Sequence, residues 1–169
     1  MKTNEQKFIT FEDCRIIYRN FSGKEGEFNR VGDRNFCVLL SDEVAAQFAE
    51  DGWNVKYLKP REEDDAPQPY LQVKLKFETE GRPPRVVLVT SGGNTPLDAS
   101  TVSLLDYAEI TKVDLNIRPY NYDVRGNTGV SAYVRDIYVT IEEDELEKRY
   151  RNAPDSAMSS VVRFEEVED

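Results

Sequence analysis

The sequence predicts a mainly β fold: a small barrel or sandwich carrying one or two inserted short helices. Three observations lead there. Segments rich in β-branched and aromatic residues recur at short spacing, and several alternate strictly between apolar and polar positions. Stretches rich in Gly, Pro and Asn separate them. Only a few windows combine a helical apolar period with capping residues. The chain has 169 residues, 39% of them hydrophobic and 32% charged. That length fits one domain, and a domain near it buries roughly 70% of its unfolded surface.

Residues 7–21 read as a long strand, bent near Glu12-Asp13. Residues 22–34 hold three glycines and read as a loop, and residues 35–40 as a buried strand. Ser41 is a good N-cap for a short helix over 42–51. Asp42 and Glu43 suit its first turn, Gly52 its end, and Val44, Ala45, Phe48 and Ala49 form its apolar stripe. Residues 53–58 alternate as a strand in which Trp53 is in phase with Val55 and Tyr57. A core position for Trp53 is favoured, and a base-stacking one stays open. Residues 59–69, with three prolines and the acids Glu62 to Asp65, read as an exposed loop. Residues 70–77 form an amphipathic strand and 85–91 a buried one. Ser91 to Asn94 form a turn, and residues 97–107 have room for a short helix. Residues 112–124 and 130–141 form the last pair of strands, joined by Arg125 to Gly129. Residues 142–151 read as a short charged helix and 152–169 as a flexible acidic tail.

In the last hairpin, apolar residues change phase on both strands, near Pro119 and near Arg135-Asp136. A register in which partner numbers sum to 254 keeps Tyr120, Tyr122 and Val124 with the other apolar residues on one face. A bulge at the shift would bend the hairpin as small barrels require.

Composition excludes much chemistry. With no histidine, Ser-His-Asp and Cys-His catalysis and imidazole metal ligands drop out. Two cysteines, Cys14 and Cys37, cannot form a four-cysteine zinc site and read as buried small hydrophobes. No phosphate-binding glycine loop or nucleophile elbow is present. The opening MKTNEQKF lacks an apolar signal-peptide region, and no apolar run nears the ~18 residues of a membrane span, which predicts a cytoplasmic protein. The net charge of −10 is unevenly spread. Residues 142–169 carry −6 and residues 62–65 carry −4, so the remaining 137 residues are neutral.

That neutral body leaves room for a basic face. On the hairpin, Asn116, Arg118, Asn121, Tyr133, Arg135 and Tyr138 fall opposite the apolar side. On residues 70–77, Leu71, Val73, Leu75 and Phe77 point inward and Tyr70, Gln72, Lys74 and Lys76 outward. Cations that track phosphates and rings that stack on bases, interleaved on a sheet face, suit a single-stranded nucleic acid.

Three stretches then carry a resemblance: Gly32 to Val38 (GDRNFCV), Asp51 to Lys56 (DGWNVK) and the hairpin RPYNYDVRGNTGVSAYVRDIYV. The chain resembles bacteriophage single-stranded-DNA-binding proteins, over most of residues 7–141 in order of elements. The resemblance implies an OB-fold-like small β-barrel over residues 1–151 and an acidic tail over 152–169. It implies coating of single-stranded DNA in phage replication and recombination, without sequence preference or catalysis, in the host cytoplasm. Carried onto this chain, the DNA-binding positions are Arg30, Arg34, Lys56, Tyr70, Lys74, Lys76, Arg118, Tyr133, Arg135 and Tyr138. The tail would compete with DNA and recruit phage or host replication proteins. A homodimer stays open, and no membrane, cofactor or metal is implied. Two rival readings remain. One is a protein-interaction module or acidic DNA mimic, from the acids at 62–65 and 142–147. The other is a Mg²⁺-dependent nuclease using Asp13, Asp33, Asp114 and Asp136.

Overall fold

The computed structural model describes residues 8–60, 62 and 65–143. The tail at 152–169 and all but the first residues of the expected helix at 142–151 lie outside the described residues, as do Glu63 and Asp64. The first strand is bent where the sequence predicts, at Asp13, whose φ is 50°. Before the bend, β1 (Ile9–Phe11) pairs with β8 (Ile110–Val124); after it, β2 (Ile16–Asn20) pairs with β3 (Arg34–Leu39). Those are the two ends of the strand ladder, whose order is β1-β8-β9-β5-β3-β2, with β9 Asn127–Ile141 and β5 Gln68–Leu75. Among the described residues the ladder does not close by pairing. One stretch of backbone ties its ends instead: the Cys14 N–H donates to the Val113 carbonyl at 2.9 Å, and the Leu39 N–H to the Arg15 carbonyl at 3.0 Å.

Three further strands flank this path. β4 (Val55–Leu58) pairs with β5, β6 (Arg85–Thr90) runs parallel to β9, and β7 (Gly93–Leu97) is an edge strand on β6. Inside lie Phe21, Phe36, Val38, Leu71, Val73, Val113, Leu115, Ile117, Ile137 and Val139, all essentially inaccessible to solvent. The helix α1 (Asp42–Glu50) starts where expected, the Ser41 hydroxyl accepting from the Val44 N–H at 3.2 Å. It covers the core with Ala45 and Phe48. Phe48 stacks on Trp53, ring centroids 4.9 Å apart, so Trp53 is a core residue. Residues Val102–Asp106 form a 3-10 turn that buries Val102 and Leu105. Its Asp106 carboxylate accepts from the backbone N–H groups of Phe21 and Ser22. Cys37 is buried and Cys14 half-buried, both free, and burial pushes both thiols up to about 11. Among the described residues no helix is long and apolar enough to cross a membrane.

The last hairpin corrects the expected register. Its turn is two residues, not five: Arg125 (φ 53°) and Gly126 (φ 87°) both take left-handed backbone, the pattern of a tight primed turn, and Asn127 to Gly129 join the ladder. Partner numbers therefore sum to 251 near the turn (Val124 with Asn127, Tyr120 with Ser131). An extra residue at Arg135 shifts the sum to 252, so that Asn116 faces Asp136 and Leu115 faces Ile137. The bulge keeps apolar residues opposite each other on both sides of it: below, Val113 and Leu115 face Val139 and Ile137, and just above, Ile117 faces Val134. Above it, Tyr120 and Val124 are turned out to solvent rather than inward.

Candidate nucleic-acid interface

Along β5, Leu71, Val73 and Leu75 are buried, while Gln72, Lys74 and the following Lys76 are exposed. Pairing carries this outward side across the sheet. Asn35 on β3 faces Lys74 on β5, Lys74 faces Tyr133 on β9, and Tyr133 faces Arg118 on β8. The next rung, Phe36, Val73 and Ala132, is buried and holds the row rigidly. Around Tyr133, the Lys74 ammonium lies 5.8 Å and the Arg118 guanidinium 4.8 Å from the ring centroid. Both are within the ~6 Å over which a ring face attracts a cation. Tyr120 meets Tyr133 edge-on at 5.9 Å.

Beside the row opens a groove of about 600 Å³. Among the described residues Arg30, Arg34, Lys74 and Lys76 line it with only Asp33 and Glu78 opposing them, and Phe28, Phe77 and Tyr133 supply aromatic surface. Arg34 is fixed at its edge by donating to the carbonyls of Phe21 (2.5 Å) and Ala99 (3.2 Å). Those acceptors are neutral, so its charge stays uncompensated. Its guanidinium lies 5.7 Å from the Phe77 ring. Arg30, largely exposed, pairs with Asp33 at 3.5 Å. Among the described residues Lys74, Lys76 and Arg118 have no carboxylate partner. The groove is thus a local positive site on a chain of net charge −10.

One wall is the loop between β2 and β3. The Gly32 N–H donates to the Gly23 carbonyl at 2.8 Å, and a Cβ on Gly23 would sit 3.0 Å from the Gly32 carbonyl carbon, so the close approach needs glycine. The Asn29 side chain organises the rest. Its amide nitrogen donates to the carbonyls of Lys24, Arg30 and Asp33, and its oxygen accepts from Asn35 at 2.8 Å. Asn35 belongs to the cross-strand row, so loop and row are linked. The loop presents Phe28 at 95% exposure on the groove's rim.

Five of the ten residues singled out from the sequence line this groove: Arg30, Arg34, Lys74, Lys76 and Tyr133. Arg118 joins through the Tyr133 ring. Tyr70 and Lys56 face each other across β5 and β4, on the same side of the sheet but further along β5. Burial, with the neighbouring Cys37 and Tyr18, raises the Tyr70 phenol above its ordinary pKa. Arg135 is the bulge residue itself, and Tyr138 lies past it. The Arg135 guanidinium stacks 3.7 Å from the Phe8 centroid. Tyr138 lines a separate pocket of about 610 Å³ with Glu12, Asp13, Asp114, Asp136 and Lys112, where carboxylates dominate.

That second pocket also collects three of the four aspartates considered for a nuclease, while Asp33 lies in the cationic groove. Asp114 and Asp136 are engaged within the fold. Asp114 accepts from the Asp13 N–H at 2.8 Å, and Asp136 accepts from Arg82 at 2.5 Å and Asn116 at 3.2 Å. Among the described residues no three His, Cys, Asp or Glu side chains are grouped to hold a metal ion. Sequence reasoning missed Phe28 and Phe77 as groove-lining aromatics and Tyr120 as an outward ring against Tyr133. An aromatic in a glycine-rich loop without an apolar neighbour was a usable signal for Phe28. Tyr120 was hidden by the hairpin register.

A family model described as "Putative phage ssDNA-binding domain" matches residues 2–168. No curated protein sequence matches the chain. Among solved structures, the single-stranded DNA-binding protein from bacteriophage Enc34 is similar with a TM-score of 0.50 at 11% identity, over 81% of this chain and 82% of that one. The same Enc34 protein in complex with ssDNA aligns with a TM-score of 0.48 at 10% identity, over 81% of this chain and 88% of that one. Also similar is gp2.5, a single-stranded DNA binding protein encoded by bacteriophage T7, with a TM-score of 0.42 at 10% identity, over 83% and 89% of the two chains. The likeness to the first of these is a likeness of fold, mainly β and OB-fold-like.

Proposed function

The chain belongs to the phage single-stranded-DNA-binding domain family, and on that premise we propose that the cationic groove beside Tyr133 is where the strand runs. One observation carries the reading: Tyr133 is held between Lys74 and Arg118 on a rigid cross-strand row, beside a groove in which four cations face two carboxylates. Unpaired cations capture the phosphates, and a base then stacks on the ring, joined by Phe28 from the loop. Stacking and phosphate contact are available to every base, so binding is independent of sequence. The protein coats single-stranded DNA during phage replication and recombination, in the host cytoplasm, and acts by binding without catalysis.

The charge of −4 on the tail, residues 152–169, supports a further part of the proposal. This segment competes with DNA for the groove and offers an acidic docking site to replication or recombination proteins.

Salt dependence tests the phosphate half of the mechanism. Removing one cation that neutralises a phosphate lowers the slope of log K against log salt by about 0.7 on single strands. Lys74→Ala is expected to reduce the slope by about that amount, measured by fluorescence anisotropy over a salt series. An unchanged slope would remove Lys74 from the phosphate path.

A further inference from the structure

We infer that Tyr18, Tyr70 and Lys56 form a second stacking subsite for the same strand, so that the DNA path runs along β5 rather than ending at Tyr133. The inference rests on the groove reading above and extends it. Tyr70 and Lys74 share the outward side of β5, four residues apart, about 13 Å at the rise of an extended strand. Lys56 faces Tyr70 from β4 and supplies the cation. The Tyr18 ring meets Tyr70 edge-on, centroids 6.1 Å apart. An aromatic pair with a cation beside it resembles the Tyr133 site, where Lys74 and Arg118 accompany Tyr133 and Tyr120.

Tyr18 carries the independent observation. It has φ 53°, a left-handed conformation that is unfavourable for a bulky residue. It sits in a bulge, where Tyr18 and Arg19 together span one position between the pairs Ile17 with Cys37 and Asn20 with Asn35. Bulges re-aim side chains. Arg19 has a structural destination, donating to the carbonyls of Leu105 and Ala108 at 2.8 Å each. Tyr18 has none of that kind. It is 62% exposed, so little core packing repays its strained backbone. A strained, exposed aromatic aligned with a half-buried one is what a surface for flat ligands requires.

Tyr18→Gly separates the two roles, because glycine accepts the positive φ while removing the ring. Anisotropy would be measured on oligo-dT from about 4 to about 16 nucleotides, the range of OB-fold site sizes. For wild type, affinity should climb as the oligomer becomes long enough to reach the second subsite. For Tyr18→Gly, the thermal midpoint should be equal or higher and the shortest oligomers should bind normally. Binding of the long ones should fall about 5- to 150-fold, the effect of one unstacked base. Wild-type protein should also photocrosslink through Tyr18 to a 5-iodouridine oligomer. Identical length profiles in wild type and Tyr18→Gly, with Tyr133→Ala still weakened, would overturn the second subsite alone. Failure of the wild-type protein to bind single strands would overturn the groove reading and this inference together.

Discussion

Tyr133→Ala is expected to weaken single-stranded DNA binding by about 1–3 kcal/mol, roughly 5- to 150-fold, at every salt concentration. The size follows from what the ring does. A base on an aromatic platform contributes about that much when the ring is removed, and the contribution is not electrostatic, so salt should not hide it. The ring also orders the two cations beside it, Lys74 at 5.8 Å and Arg118 at 4.8 Å. Its removal should therefore cost more than that of an isolated exposed tyrosine. Folding should be nearly untouched, because Tyr133 is half-exposed and the rung beneath it remains. Anisotropy titrations at low and moderate salt, with a thermal melt of the same sample, check both parts. Normal binding by Tyr133→Ala would place the strand elsewhere.

Phe36→Ala should produce the largest change in stability, about 3–5 kcal/mol. Phe36 is fully buried, stacked on Phe21 with centroids 5.1 Å apart, and paired through Val73 to Ala132, the rung next to the cross-strand row of Lys74 and Tyr133. A typical domain has about 5–15 kcal/mol of total stability, so this one cavity removes a large share of it. Denaturant unfolding should show a lower midpoint with an unchanged slope. A destabilisation below about 1 kcal/mol would mean that the site does not rest on a tightly packed layer. Tyr133→Ala and Phe36→Ala therefore separate recognition from support: one affects binding and not folding, the other folding first.

Much of the fold could be read from local chemistry. The alternation of Leu71, Val73 and Leu75 with Gln72, Lys74 and Lys76 defined β5 and its outward side. Ser41 and the acids after it marked the start of α1, and Glu12-Asp13 marked the bend that lets one strand serve both ends of the ladder. β7 escaped because Gly93-Asn94-Thr95-Pro96 has neither alternation nor β-branched apolar residues. It is a strand only because β6 pairs with it. The hairpin register failed at its turn. A loop of five residues was the plain reading of RGNTG, whereas two left-handed residues suffice, and the shift exchanged the faces of Tyr120 and Val124. The groove shows the same limit at longer range. Lys74 and Lys76 were legible as outward cations, and Tyr133 as an outward ring. That Asn35, Lys74, Tyr133 and Arg118 form one row depends on three strand pairings between distant segments, which no local pattern carries. Tyr138 was read on the same outward face as Tyr133, yet the bulge at Arg135 and the carboxylates of neighbouring strands give it a different environment.

The most direct test of base stacking in the groove is a comparison of strands. A labelled single-stranded oligonucleotide of ~16 nucleotides, the upper end of the OB-fold site range, is titrated with the full chain alongside its duplex, from low to moderate salt. The expected result is binding to the single strand that weakens as salt rises, with much weaker binding to the duplex, whose bases are already stacked on each other and cannot reach Tyr133. Equal affinity for both forms would contradict base stacking as the basis of recognition, and no binding to either at low salt would contradict the groove as a DNA site.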